Sequence, residues 1–194
     1  MMLFRTSGLN FRRKRRKMKL STAKSAAAWA VEILIVLLVA FVLVYCAGMR
    51  VTMVGNSMES TVSDGSQILV NRFIYNVKSP KSGDVIVFLP NGNEKSHYYV
   101  KRVIGVPGDK VQIKNGLLYV NGELYDTEDT DTIKNAGVAE EEITVGEDEY
   151  FVLGDNRNSS EDSRYANIGN IKKEYIKGKA WFVVRPFKKM GRIR

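Results

Sequence analysis

A serine and a lysine in this sequence lie where each could take part in nucleophilic chemistry. Ser57 falls in the segment Val54–Thr61, where a glycine permits a tight turn, so its hydroxyl could be an exposed nucleophile. Lys101 falls in a strand-like stretch, and strand alternation places it on an apolar face with Tyr99 and Val103. Loss of solvation there favours the neutral amine, which can act as a base. Taken alone, the two patterns also fit a turn serine and a lysine at a sheet rim.

A third segment is dense in short hydrogen-bonding side chains. It has the sequence GDNRNSSEDSR, runs from Gly154 to Arg164, and directly follows a stretch that predicts a strand. Side chains of this kind bind nearby backbone groups and hold loops in one conformation. Such a loop, with Asp162 and Arg164 in it, could orient a neighbouring catalytic group, although a well-satisfied surface turn has the same composition.

The elements that must position these residues are predicted to be mainly β. After residue 48 no stretch sustains an amphipathic helical period, whereas short runs of β-branched and aromatic residues are frequent. Asn115-Gly116 predicts a two-residue hairpin, and Asn121-Gly122 marks a second turn. The predicted strands are Gln67–Ile74, Asp84–Leu89, Tyr98–Val106, Lys110–Ile113, Leu117–Val120, Tyr150–Leu153 and Lys179–Arg185.

An apolar stretch near the N-terminus predicts a transmembrane helix. Residues 26–47 contain Glu32 as the only charged residue, and a helix of that length, about 33 Å, can cross a bilayer core of about 30 Å. Trp29 and Tyr45 lie near the two ends, where aromatic rings favour the membrane interface. A cleaved signal peptide would have a shorter apolar core that ends in small residues, and Tyr45 does not suit lipid modification of Cys46. We therefore predict an uncleaved anchor.

The charge distribution predicts the orientation of this anchor. The chain carries 30 Lys and Arg against 21 Asp and Glu, a net charge of +9. Residues 1–25 hold nine basic and no acidic residues, so the body of the chain is neutral. The positive-inside rule then places residues 1–25 in the cytoplasm and residues 48–194 outside the cytoplasmic membrane. A neutral body also argues against a nucleic-acid partner.

Cysteine and histidine usage limits the chemistry further. The chain has one cysteine and one histidine, which excludes an internal disulfide and leaves no cluster with metal-ligand spacing. We therefore predict no metal and no other cofactor.

Two segments of the body carry strongly biased charge. Residues 123–149 hold eleven acidic residues against one lysine, which predicts a solvated, partly mobile excursion between strands. From Lys172 onward the chain holds nine basic residues and one acid. A solvated face is the simpler interpretation, and contact with anionic lipid headgroups is a weaker one.

Four segments together resemble the conserved boxes of type I signal peptidases, which are membrane-anchored Ser–Lys proteases that remove signal peptides from exported proteins. In order they are GNSMEST at 55–61, GDVIVF at 83–88, KRVIGVPGD at 101–109 and GDNRNSSEDSR at 154–164. The resemblance covers nearly everything from the anchor to the C-terminus, and the single anchor and modest length are similar to the Gram-positive form. It implies an extracytoplasmic domain of coiled antiparallel β-sheets.

The resemblance also implies roles for individual residues. It makes Ser57 the nucleophile and Lys101 the general base. Ser160 matches the family's hydroxyl that hydrogen-bonds the lysine amine, and Asp162 and Arg164 match a pair that supports the site. The site is therefore expected to combine residues that are far apart in the sequence.

The segment around the nucleophile departs from the family pattern at two positions. Ser60 stands where the family usually has proline, so the turn is expected to be less rigid. Gly55 stands where some members have a serine that contributes to the oxyanion hole, which leaves the Ser57 N–H as the main expected donor. Gly55 and Met58 are counted among the supporting residues.

Other residues of interest have less defined expectations. Asp155 and Arg157 belong to the same box as Ser160, but the resemblance implies no clear role for them. His97 invites a Ser–His interpretation, because eukaryotic relatives have histidine where Lys101 stands. It lies four positions away, at the edge of a loop, and is not expected to be catalytic.

The expected function is removal of signal peptides from exported preproteins that carry small residues such as Ala at positions −1 and −3. Secreted preproteins and the lipid bilayer are the expected partners. One alternative is a non-catalytic, membrane-anchored relative that acts in surface-protein or pilus assembly, but such a protein would be expected to lack Ser57 or Lys101. Another is a cytosolic Ser–Lys self-cleaving regulator, against which the transmembrane helix argues.

Overall fold

The N-terminal element of the computed structural model is a long apolar helix, α1, over Leu20–Ala47. The structure describes residues 20–125 and 132–193, in two compact units, Met1–Val42 and Leu43–Arg194. The stretch Lys24–Leu43 has a mean hydropathy of 2.7, and its side chains are exposed on every face. An apolar helix without a buried face has the length and composition of a membrane span.

Helix α1 begins before residue 26, where the apolar stretch begins. Hydropathy marks only the apolar part of a helix, whereas backbone hydrogen bonding continues through the polar residues that precede it. The predicted basic tail, residues 1–25, lies mostly outside the described residues.

The second unit is built mainly from short strands, which confirms the predicted fold class. One short helix, α2 over Ile74–Val77, interrupts them. The strands are β1 Met49–Thr52, β2 Gln67–Asn71, β3 Val85–Phe88, β4 Tyr99–Gly105, β5 Lys110–Lys114, β6 Leu117–Val120, β7 Glu123–Leu124, β8 Ile143–Thr144, β9 Glu149–Leu153, β10 Ile171–Lys172, β11 Ile176–Arg185 and β12 Gly191–Arg192.

The strands form two antiparallel sheets, which curl around apolar cores. The larger sheet has the order β1-β2-β11-β3-β4-β9-β10, and β12 pairs with β11. The smaller sheet has the order β7-β6-β5-β8. In the hairpin between β5 and β6, Asn115 and Gly116 have φ angles of 55° and 76°, as the predicted two-residue turn requires.

The first predicted strand is too long at its C-terminal end. Strand β2 ends at Asn71, whose side-chain oxygen accepts the backbone N–H groups of Phe73 and Ile74 at 3.0 and 3.2 Å. This turn directs the chain into α2, so the prediction of a strand that continues to Ile74 is wrong.

The acidic segment 123–149 is more structured than its composition indicates. Its described part contains β7, β8 and a 3₁₀ helix over Gly137–Glu140. Ile133, Ala139 and Val145 are buried in an apolar cluster together with residues of β5 and β9. The few apolar side chains of the segment therefore fix its path, while residues 126–131 lie outside the described part.

The register of the central strands brings distant segments of the sequence together. Strand β4 lies between β3 and β9, with Lys101 opposite Ile86 and Arg102 opposite Leu153. Because Leu153 is the last residue of β9, the loop that begins at Gly154 starts beside Lys101. Two of the segments singled out in the sequence are thus neighbours by strand pairing alone.

Candidate active site

One cleft of about 280 Å³ is bordered by both Ser57 and Lys101. Its lining comes from three parts of the chain: residues 53–57, residues 97–101, and the pair Ser159 and Glu161. The resemblance implied that Ser57 and Ser160 act together with Lys101. The structure places Ser57, Lys101 and the two sequence neighbours of Ser160 around one opening.

Ser57 begins a tight turn that is held by backbone hydrogen bonds. The Thr61 and Val62 N–H groups both donate to the carbonyl of Met58, at 3.0 and 2.7 Å. The side chain of Met58 is fully buried in the apolar core, so it anchors the turn and does not line the cleft. Within the described part of the chain, nothing accepts a hydrogen bond from the Ser57 N–H, so this donor is available to a ligand.

Lys101 is 3% exposed, and burial lowers the pKa of its amine to about 8. The negative charges of Asp162 and Glu161 oppose this shift without cancelling it. The Nζ atom lies 5.5 Å from the centroid of the Tyr99 ring. Among the described residues no carboxylate forms an ion pair with this amine. A neutral lysine is therefore accessible near pH 8.

Asp162 is the centre of the buried network next to Lys101. Its carboxylate accepts the Ser160 hydroxyl at 2.6 Å and the Gly154 N–H at 3.1 Å. It also pairs in bidentate fashion with Arg164, whose Nε lies 2.7 Å from Oδ1 and whose second contact with Oδ2 is 2.9 Å. With its hydrogen committed to Asp162, the Ser160 hydroxyl has lone pairs left to accept from another donor.

Arg164 continues this network beyond the carboxylate. Its guanidinium donates to the carbonyls of Asn135 at 3.0 Å and Arg157 at 2.6 Å. Arg157 is itself buried and donates to the Gly154 carbonyl at 3.0 Å. Burial lowers the pKa of Arg157, and its Nε has no partner within the described part of the chain. Both arginines therefore hold backbone carbonyls of the loop after β9.

Gly154 is the point where this loop contacts the turn that carries the nucleophile. A Cβ atom at residue 154 would lie 2.4 Å from the Ser57 carbonyl oxygen and 2.2 Å from the Ser160 hydroxyl. The Ser57 carbonyl also accepts the Asn156 N–H at 3.1 Å. Only glycine permits this approach. Gly154 had no role in the site predicted from the sequence, although a glycine directly after a predicted strand was the available indication.

A second ion pair, on the other face of β4, links this strand to the loop after β9 and to the turn that begins at Ser57. Arg102 binds both oxygens of Asp155, each at 2.7 Å. Asp155 also accepts the hydroxyl of Thr61 at 2.6 Å, and Arg102 donates to the Gly83 carbonyl at 2.9 Å. Neither Arg102 nor Thr61 was singled out from the sequence, because their contacts are made across 53 and 94 positions of the chain.

The two departures from the family pattern both lie at positive φ. Ser60 has a φ of 93°, which proline cannot adopt, so this turn follows a path that the usual residue would prevent. Gly55 has a φ of 83°, and its N–H donates to Asp64 at 2.8 Å. The Gly55 N–H is thereby occupied, whereas the Ser57 N–H is among the backbone donors of this segment for which the described residues provide no acceptor.

His97 is exposed and borders the same cleft, although it was predicted only to lie at a loop edge. Tyr98 and Glu161 also line the cleft and had no role in the site predicted from the sequence, and Tyr99 lines it beside Lys101, on the strand face where the sequence placed it. In the described part of the chain, no three His, Cys, Asp or Glu side chains lie close enough together to hold a metal ion.

Comparison with known proteins identifies similar chains. A family model described as signal peptidase, peptidase S26, matches residues 26–185, which include every segment that lines the cleft. Signal peptidase I P of Bacillus subtilis subsp. natto is 39% identical over 148 residues, or 72% of this chain and 78% of that protein. Signal peptidase IB of Staphylococcus aureus is 38% identical over 178 residues, or 80% of this chain and 90% of that protein. A crystal structure of a signal peptidase I from Enterococcus faecalis V583 is 31% identical, covers 53% of this chain and 97% of its own, and has a TM-score of 0.43.

Proposed function

The chain belongs to the signal peptidase family S26, and we propose that it removes signal peptides from secreted preproteins with Ser57 as nucleophile and Lys101 as general base. The family and the named relatives indicate a serine protease of the signal peptidase type. The apolar helix and these relatives together indicate a membrane-anchored protein.

One observation carries the proposed mechanism. The amine of Lys101 is buried with a pKa of about 8, and it borders the same cleft as Ser57. A lysine with an ordinary pKa of about 10.4 is almost wholly protonated at neutral pH and is a poor base. Lowering the pKa to about 8 raises the neutral fraction at pH 7 to roughly one in eleven, which suits a general base.

Acylation begins when the Ser57 oxygen attacks the scissile carbonyl. The hydroxyl proton passes to the Lys101 amine as the C–O bond forms. We assign the Ser57 N–H, which has no acceptor among the described residues, to bind the developing oxyanion. The Lys101 ammonium then gives its proton to the leaving amine, the C–N bond breaks, and the acyl-enzyme remains.

Deacylation repeats these steps with water in place of Ser57 as the nucleophile. Neutral Lys101 takes a proton from a water molecule, which attacks the ester carbonyl. The returned proton reaches the Ser57 oxygen as the acyl group departs. Ser160, held by Asp162, is the group we assign to orient the lysine amine through both stages.

The small volume of the cleft supports a preference for small side chains. About 280 Å³, shared among several subsites, suits residues such as Ala at positions −1 and −3 better than bulky ones. Anchoring by residues 26–47 would hold the enzyme in the same bilayer as its substrates and raise their effective concentration. We infer that residues 1–25 are cytoplasmic and residues 48–194 extracytoplasmic, because the basic excess precedes the helix.

The activity is tested by incubating the full chain in detergent with a purified preprotein and mapping the products by mass spectrometry. We expect one cut after a small residue at the end of the signal peptide. Ser57→Ala should abolish this product, whereas the matched control Ser96→Ala, outside the cleft, should retain it. Cleavage by Ser57→Ala, or none by the folded wild type, would refute the proposal.

The orientation is tested separately in intact protoplasts. Protease added outside should degrade the domain formed by residues 48–194 and spare an epitope placed before residue 24. Protection of the large domain would reverse the proposed orientation and remove the proposed access to exported substrates.

A further inference from the structure

Glu161 is an acidic residue in the cleft that the proposed mechanism does not use. It lies between Ser160 and Asp162, whose side chains are buried and hydrogen-bonded to each other at 2.6 Å. Its neighbours therefore fix its backbone, while its own side chain is exposed and lines the cleft beside Ser57 and Lys101. An exposed carboxylate with a fixed backbone can act on whatever lies across the opening.

The group across the opening is the phenol of Tyr99. Its hydroxyl donates to the Glu161 carboxylate at 3.1 Å. Its ring packs against Phe88 with centroids 5.9 Å apart on one side and lies 5.5 Å from the Lys101 Nζ atom. Tyr99 thus connects the loop after β9 to strand β4 at the point where the amine meets the cleft.

The phenol remains a donor across the pH range that matters for catalysis. Partial burial, together with the hydrogen bond to Glu161, raises the pKa of Tyr99 above its ordinary value. The hydroxyl therefore keeps its proton where Lys101 loses one.

We propose that Glu161 is a positioning residue that fastens Tyr99 across the mouth of the cleft and so holds the tyrosine ring against the amine of Lys101. The Tyr99–Glu161 contact would shield the side of the amine that faces the ring and leave its other side open to the cleft that Ser57 borders, where the deacylating water must enter. The inference rests on the proposed function, because it concerns the lysine assigned there as the base.

Glu161 acts on Lys101 in two ways that can be separated. Its contact with Tyr99 favours a shielded amine, whereas its negative charge stabilises the protonated amine. The other charged groups that influence this amine are Asp162, Asp155 and Arg164, and all three belong to ion pairs. His97 borders the cleft as well.

The contact is tested with a double-mutant cycle on the full chain in detergent. Tyr99→Phe keeps the ring and removes the donor, and Glu161→Ala removes the acceptor. Measured at about pH 9.5, where Lys101 is almost wholly neutral in every variant, each should lower kcat about three- to tenfold with little change in KM, the scale of one net hydrogen bond. The double variant should lose no more than either single variant, because both remove the same contact. Losses that multiply would overturn the proposal.

The charge is tested with Glu161→Gln, whose amide oxygen still accepts from Tyr99. Loss of the negative charge should move the acid limb of the kcat profile to lower pH by about half a unit, the scale of one partly screened charge. The matched control Glu94→Gln removes an exposed acid outside the cleft and should leave the limb unchanged. If the acid limb of the kcat profile of Glu161→Gln coincides with that of the wild type, the claim that the charge of Glu161 stabilises protonated Lys101 is refuted.

A readout that does not depend on cleavage separates this inference from the proposed function. The pH dependence of Lys101 acetylation by acetic anhydride, followed by mass spectrometry, reports its protonation. Glu161→Gln should shift this profile to lower pH by the same half unit as in the kinetics. If this shift is seen without any preprotein cleavage, the proposed function fails; if cleavage occurs without the shift, the role of Glu161 fails.

Discussion

The two faces of strand β4 carry adjacent cations in opposite circumstances. Lys101 is buried without an ion-pair partner among the described residues, and its pKa is lowered to about 8. Arg102 points to the other face and binds both oxygens of Asp155. Burial disfavours its charge too, but the hydrogen bond and charge of Asp155 outweigh that effect, so the pKa of Arg102 is raised.

The difference shows how one strand can provide both reactivity and support. A partly buried cation that has a bidentate carboxylate, such as Arg102, is fixed in charge and position, and its contacts join three segments of the chain. A buried amine without one holds its proton less tightly, which suits the role of general base proposed for Lys101. Nearby Asp162 is committed to Arg164, so it orients the site without forming an ion pair with Lys101.

The largest expected effect comes from replacing Lys101 by a side chain that stays charged at every relevant pH. Lys101→Arg keeps a cation of similar length that cannot lose its proton, so we expect at least a 10³-fold loss of preprotein cleavage. Circular dichroism and resistance to limited proteolysis should show a folded protein. If the variant kept a tenth of wild-type turnover, Lys101 would be a structural cation, and His97 would be the first alternative base.

Ser160→Ala should cause the next largest loss of catalytic rate. The substitution removes the hydroxyl that we assign to orient Lys101 and leaves the pair of Asp162 and Arg164 in place, so we expect a loss of about 10²–10³-fold in kcat. Ser163→Ala is a control in the same loop, because it too removes a buried hydroxyl. A Ser160→Ala loss of less than threefold would show that this residue has another role.

Replacing each cation by an apolar residue of similar length should change the free energy of unfolding in opposite directions for Lys101 and Arg102. Lys101→Met removes a buried charge and should raise the free energy of unfolding by about 2–3 kcal/mol at pH 7. Because the folded pKa is lowered, this gain is full below pH 8 and disappears as the pH rises towards about 10.4. Arg102→Met leaves Asp155 without its partner and should lower the free energy by at least about 2 kcal/mol.

Urea unfolding of the full chain in detergent, followed by tryptophan fluorescence, measures both changes. Opposite signs for the two variants are the expected result. A destabilised Lys101→Met would mean that the amine has a stabilising partner in the folded protein.

The smallest expected effect is the pH dependence of the wild type. If neutral Lys101 is the base, kcat should rise about tenfold between pH 7 and pH 9, with its midpoint near the pKa of about 8. Steady-state kinetics on a peptide that spans a cleavage site checks this. A profile that is flat over this range would place proton transfer elsewhere or make another step rate-limiting.

Much of the fold could be predicted from local patterns. The apolar run predicted α1, and the turn pair Asn115-Gly116 predicted the β5–β6 hairpin, because both depend on residues close together in the chain. Strand β1 was missed, since its four residues follow the apolar run and have no periodicity of their own. The composition of the acidic segment predicted a solvated excursion, but its described part is held by three buried apolar side chains, Ile133, Ala139 and Val145.

The sequence by itself determined which residues could react. The four segments, their order and their resemblance to a known family predicted five site residues, whose roles stay predictions: Ser57, Lys101, Ser160, Asp162 and Arg164. Ser60 was identified as a departure from the family pattern, but its positive φ was not, because backbone angles depend on the surrounding turn.

Only the tertiary structure decided that the pKa of Lys101 is lowered while the pKa of its neighbour Arg102 is raised. Desolvation and ion pairing depend on groups that the chain brings together from far apart, such as Tyr99 with Glu161 and Arg102 with Asp155. The close approach of Gly154 to Ser57 is of the same kind, because it exists only when strands β4 and β9 pair. Sequence specifies the reactive groups, but a pKa belongs to an environment, and long-range packing creates that environment.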